Sequence, residues 1–296
     1  MALSSKKVQF AINLILILLT IACVFPLLLV ISASITDENI LLKNGYSIFP
    51  SKISFEAYQY IFKAGNTILR SYGITFFITI VGTFMNVAMT ILLAYPLSRK
   101  ELKGRNVVSF LIFFTMLFNG GLVPSYMMWT QVFHIRDTLA ALLIPNLMLQ
   151  AFYIIMMRNF ISTNIPESII EAAKIEGAGE MQLLGKIVLP LSKPILATVG
   201  LMVGLGYWND WMNGLYYLIQ RTDLYSLQNV LNTMLNNINY LKSQAAIQGS
   251  AVMVGALPSV GLRMGLAVIA ILPILIVYPF IQNGFVKGIV IGGVKG

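Results

Sequence analysis

Long apolar runs are the feature that most constrains how this chain can fold. Six segments meet or approach the roughly 20 mainly apolar residues that a membrane-spanning helix requires. The segments are Val8 to Ala33, Ser71 to Tyr95, Val107 to Phe133 (interrupted at Asn119 to Pro124), Thr138 to Met157, Ile195 to Leu218 and Leu262 to Phe285. Only 10% of the residues are charged, which is too few to cover a water-exposed surface. We therefore expect an all-α membrane protein with six transmembrane helices.

The distribution of Lys and Arg predicts how these spans are oriented. The short loop Ser98 to Arg105 carries four positive charges between the second and third runs, and such loops stay in the cytoplasm. With six spans, both termini are then cytoplasmic. The net charge of +9 is explained by anionic lipid on the inner leaflet and requires no nucleic-acid partner.

The connection from Arg158 to Pro194 is unusually polar for this chain and predicts two short helices. Pro166 is tolerated in a first helical turn, and Gly177 can end the first helix in the left-handed conformation. A second, amphipathic helix is expected from about Glu180 to Val188, with Pro190 ending it. Two interpretations remain open from the residues alone. The pair of helices forms either a docking surface for a soluble partner or an interfacial segment lying on lipid headgroups.

The spacing of residues in this connection resembles a known motif. Glu171-Ala172-Ala173, then Gly177, then Ile187, Leu189 and Pro190 match the signature loop of permease subunits in binding-protein-dependent ABC importers. Other motifs resemble the maltose-type carbohydrate subfamily, its second permease and its complex-oligosaccharide branch. These motifs are Trp208 to Asp210, the tail Phe285 to Gly296, Phe118 to Pro124, and Met157 to Phe160.

The resemblance implies a fold and a role for the loop. The fold is the type I ABC importer permease fold, with residues 1–296 as a single transmembrane permease domain and residues 158–194 as a cytoplasmic coupling loop between spans 4 and 5. In this family the loop sits in a cleft of the ATPase subunit, where Glu171 would pair with a basic residue and Gly177 would let the chain turn back. The remaining coupling residues implied are Ala172, Ala173, Ile187, Leu189 and Pro190. The tail, residues 285–296, either reaches toward the ATPase interface or is disordered.

The resemblance also implies partners. These are a second homologous permease, two cytoplasmic ATPase subunits that hold ATP and magnesium, and an extracellular or periplasmic substrate-binding protein. This chain would then carry no cofactor and no catalytic residue, and it would lie in the bacterial inner membrane as a multi-pass subunit. We expect an ATP-driven carbohydrate importer, with the substrate most consistent with an oligosaccharide.

Polar side chains within the apolar runs are candidates for the substrate path. They are Asn86, Asn146, Gln150, Trp208, Asn209, Asp210 and Trp211. Asp210 is the one acid inside a predicted span, and ionisable groups there usually face a cavity or a partner. The alternatives are that the two Trp side chains are interface anchors and that the amides bond between helices.

Three other functions are weighed against this one. The chain could be the permease of an ABC importer for a non-sugar substrate. An ion-coupled secondary carrier would show buried carboxylates near mid-membrane and internal repeats, and neither is evident. An intramembrane enzyme would require a cluster of reactive groups at membrane depth. One histidine at an outer edge and one acid within a span argue against such a cluster, and a lone histidine cannot form a histidine metal cluster.

Overall fold

The computed structural model describes residues 6–63, 65–247 and 259–293, and most of them are helical. The α-helices are α1 (Lys6–Ser34), α2 (Glu38–Asn44), α3 (Glu56–Lys63), α4 (Gly65–Ser98), α5 (Arg105–Leu117), α6 (Leu122–Met127), α7 (Ala140–Leu143), α8 (Ala151–Asn164), α9 (Glu167–Ile175), α10 (Glu180–Leu183), α11 (Leu189–Leu191), α12 (Lys193–Asn209), α13 (Met212–Tyr217), α14 (Leu227–Ile247) and α15 (Ser259–Gly293). Among the described residues, the one extended pairing is an isolated bridge between Thr36 and Ile53. The all-α prediction is confirmed.

Two helices in the described part of the chain are long and apolar enough to cross a membrane, Val8–Ser34 and Gly65–Ser98. Two bent pairs raise the number to four when each counts as one span. Arg105–Leu117 and Leu122–Val132 meet at 115°, and Glu180–Leu191 and Lys193–Asn209 meet at 80°. The interruption predicted in the third run is therefore real. The last predicted span lies within α15, which continues as helix through the start of the tail to Gly293.

The prediction of one continuous helix from Thr138 to Met157 is wrong. After α7 ends at Leu143 the chain turns, and α8 begins only at Ala151. Pro145 cannot donate a backbone hydrogen bond and disfavours helical geometry at the residue before it. Asn146 then adopts a left-handed conformation with φ of 62°, which Asn tolerates better than most residues.

The predicted fifth span, Ile195 to Leu218, is also interrupted. Helix α12 ends at Asn209, and Asp210 has the extended backbone of a helix cap. Its carboxylate accepts hydrogen bonds from the backbone N–H groups of Met212 and Asn213, at 3.2 and 3.4 Å. Asp residues favour such local bonds over continued helix, so the chain restarts as the short helix α13. Asp210 thus lies at a break between two helices, whereas we expected it within one.

The chain divides into two compact units. The first comprises Met1–Ile68 and Leu231–Leu275, and the second comprises Leu69–Val230 and Ile276–Gly296. In the first unit, Glu38 holds the beginning of α15, because its two carboxylate oxygens accept hydrogen bonds from the N–H groups of Val260 and Gly261, both at 2.9 Å. Gly261 and Gly265 then face Ala57 of α3. Small residues four apart allow two helices to approach closely in a membrane.

In the second unit, α12 packs closely on α4. Gly200 and Gly204 lie against Thr83 of α4. Tyr207, which is fully buried, fills the space beside Gly82, so that a Cβ atom at Gly82 would overlap the Tyr207 ring. This crossing fixes α12, and therefore the break that follows it, relative to α4.

We expect Gly82→Ala to destabilise the protein by about 1–3 kcal/mol, because the added methyl group has no space beside the Tyr207 ring. Thermal unfolding of the purified protein in detergent, followed by Trp fluorescence, measures this effect. Gly73→Ala is the matched control, since Gly73 lies on the same helix with open space around its Cβ position. Equal melting temperatures for the two variants would contradict the close crossing.

Candidate coupling site and translocation path

Helix α9 carries the first half of the predicted motif and ends as the sequence indicates. Gly177 has φ of +86°, its N–H donates to Lys174 O at 3.0 Å, and the N–H of Ala178 donates to Ala173 O at 2.9 Å. This pair of bonds is the Schellman arrangement that closes a helix with a left-handed residue. The predicted role of Gly177 as the end of the helix is confirmed. These two hydrogen bonds hold Gly177 in a defined turn.

One side of α9 is open to the surroundings. Glu171 and Ala172 are exposed, and no ion pair or side-chain hydrogen bond engages Glu171 within the described part of the chain. Ile175, one turn further along, is 88% exposed, and Met181 at the start of the next helical segment is 75% exposed. A free carboxylate beside large exposed apolar side chains is suited to a protein partner.

The opposite side of the loop is built into the core of the second unit. Ile170, Leu183, Leu184 and Val188 are buried in one continuous apolar cluster. Ala173, Ile187 and Leu189 of the motif pack against the same cluster. The cluster also contains side chains from α4, α8 and α12, among them Ile91, Met157 and Val199. The loop therefore shares one apolar core with three helices, and close-packed interiors transmit strain.

The second helical segment of the loop differs from the prediction at Pro190. We expected Pro190 to end the helix near Val188, but the helical path continues to Leu191. A proline ring clashes with the carbonyl four residues earlier, and a turn of π-helix over Leu184–Val188 widens the path ahead of it. Ser192 and Pro194 then begin α12, as the sequence predicts.

The breaks that follow Leu143 and Asn209 lie side by side, and side chains satisfy the backbone carbonyls that the first of them frees. Asn86 of α4 donates to Leu147 O at 2.6 Å, Tyr207 of α12 donates to Leu143 O at 2.7 Å, and Asn213 of α13 donates to Pro145 O at 3.0 Å. Irregular backbone at membrane depth persists only where the protein supplies such partners or where it lines a cavity. These three donors therefore stabilise a non-helical segment next to the end of α12.

The predicted path residues fall into two groups. Asn86 and Trp208 are buried, with Asn86 bonded between helices and Trp208 in an edge contact with Phe76 at 5.2 Å. Asn146, Asn209 and Trp211 are exposed. The Gln150 side chain donates to Asn146 O at 3.1 Å, across the turn, so these two residues do not share a face of one helix as expected. Asp210 is partly buried and holds the start of α13, and its second carboxylate oxygen has no hydrogen-bond partner among the described residues.

Several residues that shape this site were missed in the sequence. Gln228 donates to the Asn209 amide oxygen at 3.5 Å, and Asn229 donates to Trp211 O at 2.6 Å. The Asp137 carboxylate accepts from three consecutive backbone N–H groups, residues 219–221, which lowers its pKa. The Gly200 to Gly204 spacing was a readable signal for close helix packing. The other contacts join distant parts of the chain and leave no local pattern.

Comparison with known proteins identifies the family. The sequence model of the binding-protein-dependent transport system inner membrane component family matches residues 90–291, more than half of the chain, including the coupling loop and both helix breaks. The chain belongs to this family of ABC transporter permease subunits. Such a subunit is a non-catalytic component of the bacterial inner membrane, so the expectation that the chain is not an enzyme is confirmed.

Similar proteins extend this assignment over nearly the whole chain. Protein LplC of Bacillus subtilis (strain 168) is 37% identical over 92% of this chain and 90% of its own length. The polygalacturonan/rhamnogalacturonan transport system permease protein YtcP of the same organism is 36% identical over 95% of this chain and 96% of its own. The crystal structure of a bacterial ABC transporter involved in the import of the acidic polysaccharide alginate matches with a TM-score of 0.78 and 28% identity, covering 96% of this chain and 99% of that chain. The predicted ABC importer permease fold is confirmed.

We expect Gly177→Ala to loosen the end of α9 by about 1 kcal/mol, because a Cβ atom disfavours the left-handed conformation. Amide hydrogen exchange of the peptide that spans residues 165–180 measures this as faster exchange. Gly179→Ala is the control, since both glycines have open space around the Cβ position but Gly179 has φ of −73°. Exchange that is equally fast in both variants would show that the Gly177 turn does not stabilise the helix end.

Proposed function

We propose that this chain forms half of the translocation pore of an ATP-driven oligosaccharide importer, and that residues 158–194 couple ATPase closure to alternating access. The observation that carries the proposal is the two-sided coupling loop. One side is continuous with the core that contains α4, α8 and α12, and the other presents the unpaired Glu171 with exposed apolar neighbours. This arrangement favours docking over the interfacial-helix alternative, because a lipid-surface helix would carry basic residues on its polar face.

The mechanism follows from the packing. Closure of the ATPase dimer would displace α9, and the shared core would pass this movement to α12 and α8. The non-helical segments that follow Leu143 and Asn209 would then change their exposure, opening the path to one side of the membrane or the other. ATP and magnesium would be held by the ATPase subunits, so this chain would contribute movement and a pore lining.

We further propose a complex with a second homologous permease, two ATPase subunits and an external substrate-binding protein. Residues 1–296 would act as one permease domain with both termini in the cytoplasm. The orientation is supported by the basic loop Ser98 to Arg105, which lies beside the coupling loop and bonds to it. The proposed ATPase contact of the tail falls on residues 285–296, whose side chains lie outside the described residues.

The carbohydrate assignment rests on the relatives. YtcP is named for transport of polygalacturonan and rhamnogalacturonan, and a permease from Halalkalibacterium halodurans, 27% identical over 92% of this chain, is named for arabinooligosaccharides. Exposed amides at the helix breaks, Asn146 and Asn209, suit a hydroxyl-rich ligand, because amide groups donate and accept hydrogen bonds at the same time. We therefore infer that oligosaccharides pass these breaks, with Gln150, Trp211 and Asp210 beside the path.

We expect Glu171→Arg to abolish ATP hydrolysis stimulated by the binding protein, because the reversed charge would repel a basic residue of the ATPase. The measurement is ATPase activity of the complex reconstituted in liposomes with its binding protein. Glu176→Arg is the matched control, since Glu176 is an exposed carboxylate of the same loop with no side-chain partner among the described residues. Undiminished stimulation with Glu171→Arg would remove the proposed role of this residue.

We expect Asn209→Ala to reduce uptake of oligosaccharides by about three- to tenfold while leaving basal ATP hydrolysis unchanged, because one or two hydrogen bonds to the sugar are lost. Uptake of rhamnogalacturonan fragments, oligogalacturonides and arabino-oligosaccharides would be measured in cells that express the whole transporter. Asn164→Ala serves as control, since its amide bonds its own helix at Phe160 O just as the Asn209 amide bonds Leu205 O, but Asn164 ends α8 outside the predicted path. Uptake that is dependent on an ion gradient and independent of ATP would support a secondary carrier.

A further inference from the structure

The loop that follows α4 is bonded to α9, the first of the two coupling helices α9 and α10, by a set of charged contacts. Lys174 Nζ of α9 lies 2.7 Å from Glu101 Oε2, and Lys100 Nζ lies 2.9 Å from Glu167 Oε2. Lys174 also lies 3.5 Å from Glu180 of α10, and Arg99 lies 3.4 Å from Glu101. The first two contacts join residues 98–105 to α9. The other two hold Lys174 and Glu101 in place.

A hydrogen bond from a buried side chain reinforces these pairs. Tyr95, near the end of α4, is buried, and its hydroxyl donates to Glu180 Oε2 at 2.5 Å. From α8, Arg158 Nε donates to the carbonyl of Leu97 at 3.1 Å. The end of α4 is thus bonded directly to α8 and α10, and through the loop that follows it to α9.

Single exposed ion pairs contribute little to stability, but three features distinguish this set. Glu101 and Lys174 each contact two opposite charges, so neither is an isolated pair. The Arg99 side chain is only 10% exposed, and removing the partner of a buried charge is costly. The lysines also favour the charged carboxylates, because Lys174 lowers the pKa of Glu101 and Lys100 lowers the pKa of Glu167.

We propose that residues 98–105 form a brace that makes the cytoplasmic end of α4 move as one body with α9 and α10, and that Glu101 is its central positioning residue. The brace rests on the proposed function in one respect, since it presumes that α9 moves with the ATPase. It adds a second route for that movement, through polar bonds to α4 as well as through the apolar core. Glu171 takes no part in the brace, so the two roles are separable.

The brace is tested by the distance between its two sides in the assembled transporter. Spin labels are placed at Lys103→Cys and Ser168→Cys, both exposed positions, after Cys23→Ala removes the native thiol. Double electron–electron resonance should give one narrow distance distribution that is the same without nucleotide and with ATP and vanadate. Glu101→Gln should broaden it, whereas Glu176→Gln, the same change at an unpaired carboxylate, should not.

A functional measurement distinguishes positioning from stability alone. Glu101→Gln should raise the ATP hydrolysed per oligosaccharide transported by about two- to fivefold, because α4 no longer follows the coupling helices. A residue that served only stability would lower hydrolysis and transport in proportion. Rhamnogalacturonan fragments or whichever of the three oligosaccharide preparations above is taken up would serve as the transported probe.

A charge exchange gives an independent test. Lys100→Glu and Glu167→Lys should each broaden the distance distribution, and the double variant should narrow it again, because this pair has no second partner among the described residues. The Glu101 and Lys174 pair is unsuitable for exchange, since the reversed charges would face Arg99 and Glu180. A distribution that shifts on nucleotide binding in the wild type, or a double variant no better than the single ones, would overturn the brace. Failure of Glu171→Arg with an intact brace would instead count against ATPase docking.

Discussion

A backbone carbonyl at membrane depth must receive a hydrogen bond from the protein or from water in a cavity, because lipid offers no donor. This constraint governs the segment between α7 and α8. The chain leaves helical geometry after Leu143, and Asn86, Tyr207 and Asn213 each supply a donor to the carbonyls that become free. These donors come from three different helices, so the packing of all three stabilises the break. The packing of α12 on α4 at Gly82 therefore contributes to the stability of the irregular segment.

The proposed coupling loop, residues 158–194, would meet a different physical requirement, which is to join a membrane-embedded core to a water-soluble partner. Its buried side chains belong to the same cluster as α4, α8 and α12. Its outer side keeps a carboxylate and apolar groups available at Glu171, Ile175 and Met181. A helix that packs into the core on one side and leaves the other side free to bind a partner would suit a mechanical connection between subunits. The charged contacts at Glu101 add directional bonds between residues 98–105 and α9. Apolar packing alone would let these two segments slide past each other.

The sequence was informative where structure depends on neighbouring residues. The end of α9 at Gly177 was predictable because a left-handed residue is easiest for glycine, and long apolar runs indicated the helices that face lipid. It did not identify the breaks at Asn146 and Asp210, since Pro145 is only an ambiguous local signal when Pro26 and Pro96 lie inside continuous helices. The helical turn at Pro190 was also not predictable, because the π-helical widening ahead of it depends on the packing of Leu184 and Val188.

By itself, the sequence determined that this chain is a helical membrane protein with a short polar loop of two helices, and the spacing in that loop indicated a permease subunit. Hydrophobic burial and helix capping are local effects, so they can be read from consecutive residues. Only the tertiary structure decided that the fourth and fifth apolar runs break, which carbonyls are satisfied by distant side chains, and that residues 98–105 pair with α9. Such contacts form between residues more than 60 positions apart, and which of the many compatible partners meet is settled only when the helices pack together.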